Sequence, residues 1–369
     1  MGQWPGATNF DPGLLAYRVS GGWWDVLEAL DVTLLVTREY EHLAVGLTVE
    51  GGAPAVSYLP LPHPSGMAVD REAEVVHIAS TRNPNQVLEL RPVTGALERA
   101  DVATSPAWGR PLLPVRSQFL PGALYIHDLA MVGGQLHANA VGMNAVIALA
   151  GGQEYHAVWW PKCTESNGAA RFDRNYIQLN SIAAGPDLAG SYFSASATRV
   201  TARRPGHRNF AVNKRGAVFG GATRDVVISG LTRPHSARLY GERLWVDNSG
   251  YGELVASCPA FPGTGYDVVC RLPGWTRGLC FAKDFAFVGT SRVIPRFSQY
   301  APGLELERSI CGVHALDTRS GMVVGSIVWP EGNQVFGVEW LPRSMSAGFP
   351  YSARGLRRDP RAIFYAFQV

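Results

Sequence analysis

Lysine is almost missing from this sequence: it occurs only at positions 162, 214 and 283. Arginine therefore carries nearly all the positive charge, a usage that reads as coding bias and not as a binding surface. The net charge is only +3, which gives no support to a nucleic-acid partner. The two arginine clusters, ARRPGHR at 202–208 and RGLRRDPR at 354–361, read as solvated loops. Cysteine is scarce as well. The five residues Cys163, Cys258, Cys270, Cys280 and Cys311 form no CxxC pair and fit no zinc spacing. Their usage is that of reduced thiols in a cytoplasmic protein. No apolar run approaches the roughly 18 residues of a membrane span. The opening MGQWPGATNFDPGLL lacks the basic-then-apolar pattern of a signal peptide. A Walker P-loop, GxSxG, HExxH and a strand-placed GxGxxG are all missing, so nucleotide-dependent chemistry and serine hydrolysis have no motif to rest on.

What is present is material for many short strands. The chain has 369 residues, 46% apolar and 17% charged, which is enough for a large core and too little charge for disorder. Glycine (41) and proline (25) are spread along the chain, as turns between strands require. VTLLVTREY with HLAVGLTVE reads as a hairpin, as do AVFGG with DVVISGL and the run GVHALDTRSGMVVGSIVW. Helical periodicity is confined to WWDVLEALDV at 23–32.

The strand pattern repeats. Six segments share a loop residue, a small residue, an apolar run, a turn and a second strand. They open at Ser65, His127, Asn180, His235, Arg277 and Phe336, at intervals of 62, 53, 55, 42 and 59 residues. That spacing suits four-stranded propeller blades. The expected fold is all-β: a six-bladed β-propeller over 33–369, after an N-terminal segment 1–32 with one short helix. A seven-bladed count stays open, because the first interval has room for extra strands. The hairpin at 33–49 is expected to complete the last blade and close the ring. The last segment is truncated before the C-terminal strand AIFYAFQV.

The best-preserved repeat, HPSGMAVDREAEVVHIASTRNPNQVLEL, resembles the NHL-type propeller repeat over residues 62–90. The whole chain is similar to a bacterial family of conserved hypothetical proteins with no assigned activity. The resemblance extends to six-bladed propellers of the senescence-marker and gluconolactonase type, which carry metal sites at one channel mouth. It implies that His63, His127 and His235 are ligands there for a divalent transition metal, zinc, iron or copper.

The residue opening each inner strand should sit at that mouth. The following positions, Gly66, Asp128, Ser181, Ser236, Gly278 and Gly337, are small except for Asp128, which fits crowding near an axis. Arg82, Arg199, Arg277 and Arg292, with Asn180, are the residues expected to hold an acidic group. Asp128, Tyr176 and Tyr251 are the proton-transfer candidates. The long polar insertion at 159–181 is placed to form a lid. Two functions follow. One is a metal-dependent lyase, hydrolase or oxygenase acting on a small or peptide-like acidic substrate. The other is a non-catalytic module that binds a peptide or protein. Neither involves nucleic acid or membrane, and the oligomeric state stays open.

Overall fold

The computed structural model describes residues 11–82, 84–96, 110–150, 154–258, 265–352 and 367–368. The arginine cluster at 354–361, and all of AIFYAFQV except Phe367 and Gln368, lie outside them.

Six antiparallel sheets follow one another around a ring, each running outward from its inner strand. Blade 1 comprises Pro64–Asp70, Val75–Ser80, Asn85–Pro92 and Leu112–Leu120. Blade 2 comprises Ile126–Val132, Gln135–Ala140, Ala145–Leu149 and Tyr155–Trp159. Blade 3 comprises Leu179–Ala183, Tyr192–Ala195, Gly216–Gly220 and Val226–Leu231. Blade 4 comprises Pro234–Tyr240, Arg243–Asn248, Glu253–Ser257 and Asp267–Arg271. Blade 5 comprises Trp275–Ala282, Phe285–Ser291, Gly312–Asp317 and Val323–Val328, and Arg18–Gly21 adds a fifth strand at its outer edge.

Blade 6 is built from both ends of the chain. Its inner strand Gly337–Pro342 pairs with Val32–Arg38, which is followed outward by Leu43–Glu50 and Ala53–Pro60. Within the N-terminal segment, residues 11–32 are packed onto the ring. Its helix Trp23–Leu30 buries Trp23, Val26, Leu27 and Leu30, and Trp23 meets Phe287 of blade 5 edge-on at 6.0 Å. Among the described residues no helix is long and apolar enough to cross a membrane.

A blade alone cannot bury both its faces, so the core lies between blades. Each of the six gaps holds its own apolar cluster, such as Ala79, Ile126 and Ile147 between blades 1 and 2. Near the axis a polar clasp crosses every gap. Ser65 Oγ donates to Ile126 O (2.9 Å), Asn139 Nδ2 to Leu179 O (2.9 Å) and Asn180 Nδ2 to Pro234 O (2.7 Å). Ser249 Oγ donates to Thr276 O (2.6 Å), Ser291 Oγ to Val335 O (3.0 Å) and Thr37 Oγ1 to Ser65 O (2.6 Å). Five of these carbonyls belong to the residue just before an anchor. The inner strands start there, and their first carbonyls face a neighbouring blade rather than a ladder partner.

Candidate functional site at the channel mouth

Pairing slips at the opening of five inner strands. The register shifts between Pro64 and Met67, Ile126 and Leu129, Leu179 and Ser181, His235 and Arg238, and Thr276 and Leu279. Bulges of this kind re-aim side chains. Here they bring residues of all six blades around a point-like cavity of about 10 Å³, lined by His127, Asn180, His235, Arg277 and Phe336 with their small successors. The crowding explains the small residues. A Cβ on Gly66 would lie 2.4 Å from the Asp128 Cα, and one on Gly278, at φ +87°, 2.8 Å from Val338 Cγ2.

Above this ring stands a second one. Two residues before each anchor are His63, Tyr125, Gln178, Arg233, Trp275 and Gln334. All but Trp275 lie just before the inner strands. The first four adopt left-handed backbone (φ 44°, 51°, 54° and 55°), uncommon for residues with a Cβ and often found at functional sites. All but His63 line a mouth chamber of about 140 Å³, together with His127, His235, Arg277 and Phe336.

The chamber is rich in unspent hydrogen-bond donors. Arg277 is 5% exposed, and its Nε and Nη2 have no protein partner. With the Gln334 amide oriented to suit its neighbours, that side chain accepts from Arg277 Nη1 (3.2 Å) and donates to Glu39 (2.8 Å). Arg233, 4% exposed, gives Nη1 to Gln178 Oε1 (2.7 Å) and leaves Nε free. The buried indole Nε1 of Trp275 is also unpartnered. The Arg277 guanidinium lies 3.4 Å from the centre of the Phe336 ring, and that of Arg233 4.1 Å from Tyr300. Burial pulls both guanidinium pKa values down to about 10, which still leaves them charged at neutral pH.

His127 and His235 stack between these cations, with ring centres 6.2 Å apart and planes at 26°. Burial first, and Arg277 second, hold both imidazoles well below the usual histidine range, so they are neutral at pH 7. His235 Nδ1 is 2.9 Å from the Arg233 carbonyl oxygen, which can only accept. The proton therefore sits on Nδ1, and Nε2 keeps its lone pair. His127 Nδ1 and Asn180 Oδ1 are buried without partners.

The three-histidine metal set is not assembled. His63 packs against His42 (4.2 Å between ring centres), lies 3.9 Å from Glu39, and does not line the chamber that holds the other two. Among the described residues no group of three or more His, Cys, Asp or Glu side chains is placed to hold a metal ion. The groups beside His127 and His235 are guanidiniums, which repel a cation. These residues do not fit a metal.

The remaining candidates divide. Asp128 is unsuited to proton transfer, because its carboxylate is consumed by Arg238 (2.8 Å) and the amides of Leu129 and Ile182. Tyr251 gives its hydroxyl to Asn213 (2.9 Å) and lines neither chamber. Arg199 and Arg292 are exposed and also line neither, and Arg292 Nη2 donates to Pro330 O (2.5 Å). Arg82 does line the mouth, 3.5 Å from Glu39. Tyr176 lines a larger neighbouring chamber of about 840 Å³, its hydroxyl shared with Asp173 and Arg171. That chamber is walled by residues 173–178 of the polar insertion, which Asn144 anchors by accepting from the amides of Tyr176 (2.7 Å) and Ile177 (3.0 Å).

A family model matches residues 21–348, most of the ring. The chain belongs to the family described as Domain of unknown function (DUF4915). Among solved structures, this DUF4915 protein is similar to a chain of a nidogen/laminin complex, at TM-score 0.55 and 11% identity over 84% of this chain and 98% of that one, a likeness of fold. A gluconolactonase from Xanthomonas campestris matches at TM-score 0.44 and 13% identity, over 82% and 86% of the two chains. A protein of unknown function from Bacteroides caccae matches at 0.47 and 10%, over 84% and 98%. Comparison with curated proteins gives no match.

Proposed function

We propose that the channel mouth binds a small anionic molecule, whose carboxylate or phosphate is received by Arg277 and Arg233. The observation that carries this reading is the pair of buried guanidinium side chains, Arg277 and Arg233, that line one chamber and each carry an N–H group no protein atom accepts. An unpaired buried guanidinium costs several kcal/mol of desolvation. An anion in the chamber offsets that cost with charge-assisted hydrogen bonds. Neutral His127 and His235 add no charge, the Glu39 carboxylate that lines the chamber is held by Gln334 (2.8 Å) and Arg82 (3.5 Å), and the open Nε2 of His235 accepts a hydrogen bond from a ligand hydroxyl. A chamber of about 140 Å³ fits a carboxylate or phosphate group.

Peptide or protein docking on the propeller face is the second reading, in line with the nidogen/laminin neighbour. The depth of the free donors favours a small group, since a protein surface cannot reach them. Calorimetric titration with inorganic phosphate tests the proposal. Wild type is expected to bind it, and Arg277→Met to lose binding while keeping a cooperative melt. Unchanged binding in that variant would overturn the reading.

A further inference from the structure

The mouth chamber adjoins the chamber of about 840 Å³: Tyr125, His127, Gln178 and Arg233 line both. The outer chamber lies in the size range of whole small-molecule sites, whereas the inner one holds only a head group. Its charge is lopsided. Arg174 comes from the polar insertion, and Arg203 and Arg204 from the loop at 201–207. Against them stands Asp173 alone, already engaged by the Tyr176 hydroxyl (3.0 Å) and by Arg171 (3.8 Å). Arg203 and Arg204 make no ion pair among the described residues and are exposed.

We infer that the ligand is an elongated molecule with an acidic group at each end. One acidic group sits between Arg277 and Arg233, and the second, at the other end of a body of sugar size, meets Arg174, Arg203 and Arg204. Arg233 borders both chambers and stands where the two halves of the ligand join. This rests on the anion-binding reading of the mouth and adds the second charge and the direction of the body.

The test is calorimetry on the full chain with one-ended and two-ended probes: fructose 6-phosphate against fructose 1,6-bisphosphate, and hexanoate against adipate. Inorganic phosphate serves as the mouth-only control. At least one two-ended probe is expected to bind about tenfold more tightly than its one-ended counterpart, as an added charge-assisted contact implies. The pair with the gain identifies phosphate or carboxylate as the end group. In Arg203→Ala/Arg204→Ala, where only exposed side chains are cut, the gain should vanish while inorganic phosphate binds as before. The inference is overturned if no two-ended probe gains in wild type. It is equally overturned if the gain survives both in the double variant and in Arg174→Ala. Failure of the mouth itself reads differently: inorganic phosphate then fails to bind wild type, or binds Arg277→Met unchanged.

Discussion

Arg277 and Arg233 place recognition and stability in opposition. Each holds a charge in a buried site with donors left over, a state that binding relieves and the free protein must bear. Arg277→Met is therefore expected to melt at a higher temperature than wild type without ligand, by about 1–2 °C for a gain near 1 kcal/mol, and to lose the phosphate-induced rise. A melt below wild type would show that the charge is satisfied by the protein alone. The histidines supply a pH signature. Burial lowers His127 and His235 well below the usual value, and His314 to about 4. The unfolded chain then binds more protons below pH 6.5, so stability should decline as the pH falls from about 6.5 towards 4. An anion at the mouth favours the protonated rings. Sulfate, whose charge is constant in this range, should bind more tightly as the pH is lowered from 7.5. The gain should flatten in His127→Gln/His235→Gln.

Among the elements, the inner-strand openings do the most, and they were the part most open to sequence reading. Crowding at the axis imposes a small residue after five of the six anchors, Asp128 being the exception, and that imprint recurs from Gly66 to Gly337. The ring two residues earlier was just as accessible. Arg233 stands in TRPH, two residues before His235. Glu39 and Gln334 carry no comparable signal, because closure of the ring brings them together from opposite ends of the chain. The Asn- and Ser-rich strand exits suggest turns or ligand contacts. Several of them serve instead as clasps between blades. Asn139 shows the coupling, since it accepts from His127 N (3.0 Å) and donates to Leu179 O (2.9 Å). Asn139→Ala strips buried partners from two blades and should cost roughly 2–4 kcal/mol in urea unfolding. It should also weaken phosphate binding by loosening His127. An effect within about 0.5 kcal/mol would count against the clasp.

At the scale of the molecule, the count of six blades follows from the repeat, and the matched family model spans nearly the whole ring. Blade 6 depends on three strands from the first 60 residues, and Thr37 locks it to blade 1 through Ser65 O (2.6 Å) and to its own inner strand through Gly337 N (2.8 Å). A fragment beginning at residue 62 should therefore fail to give a cooperative melt, and co-expression with residues 1–61 should restore one. A stable fragment alone would show that five blades suffice.

The same closure sets a clock on biosynthesis. Thr37 and Gly337 are 300 positions apart. At ribosomal rates of about 5–20 residues per second, the strand holding Thr37 waits roughly 15–60 s for its inner partner. During that wait its edge is open to any other nascent chain with an unpaired strand. Yield from rapid expression should thus be limited by how well a holdase shields these first three strands, and slower synthesis at low temperature would not by itself shorten the exposure.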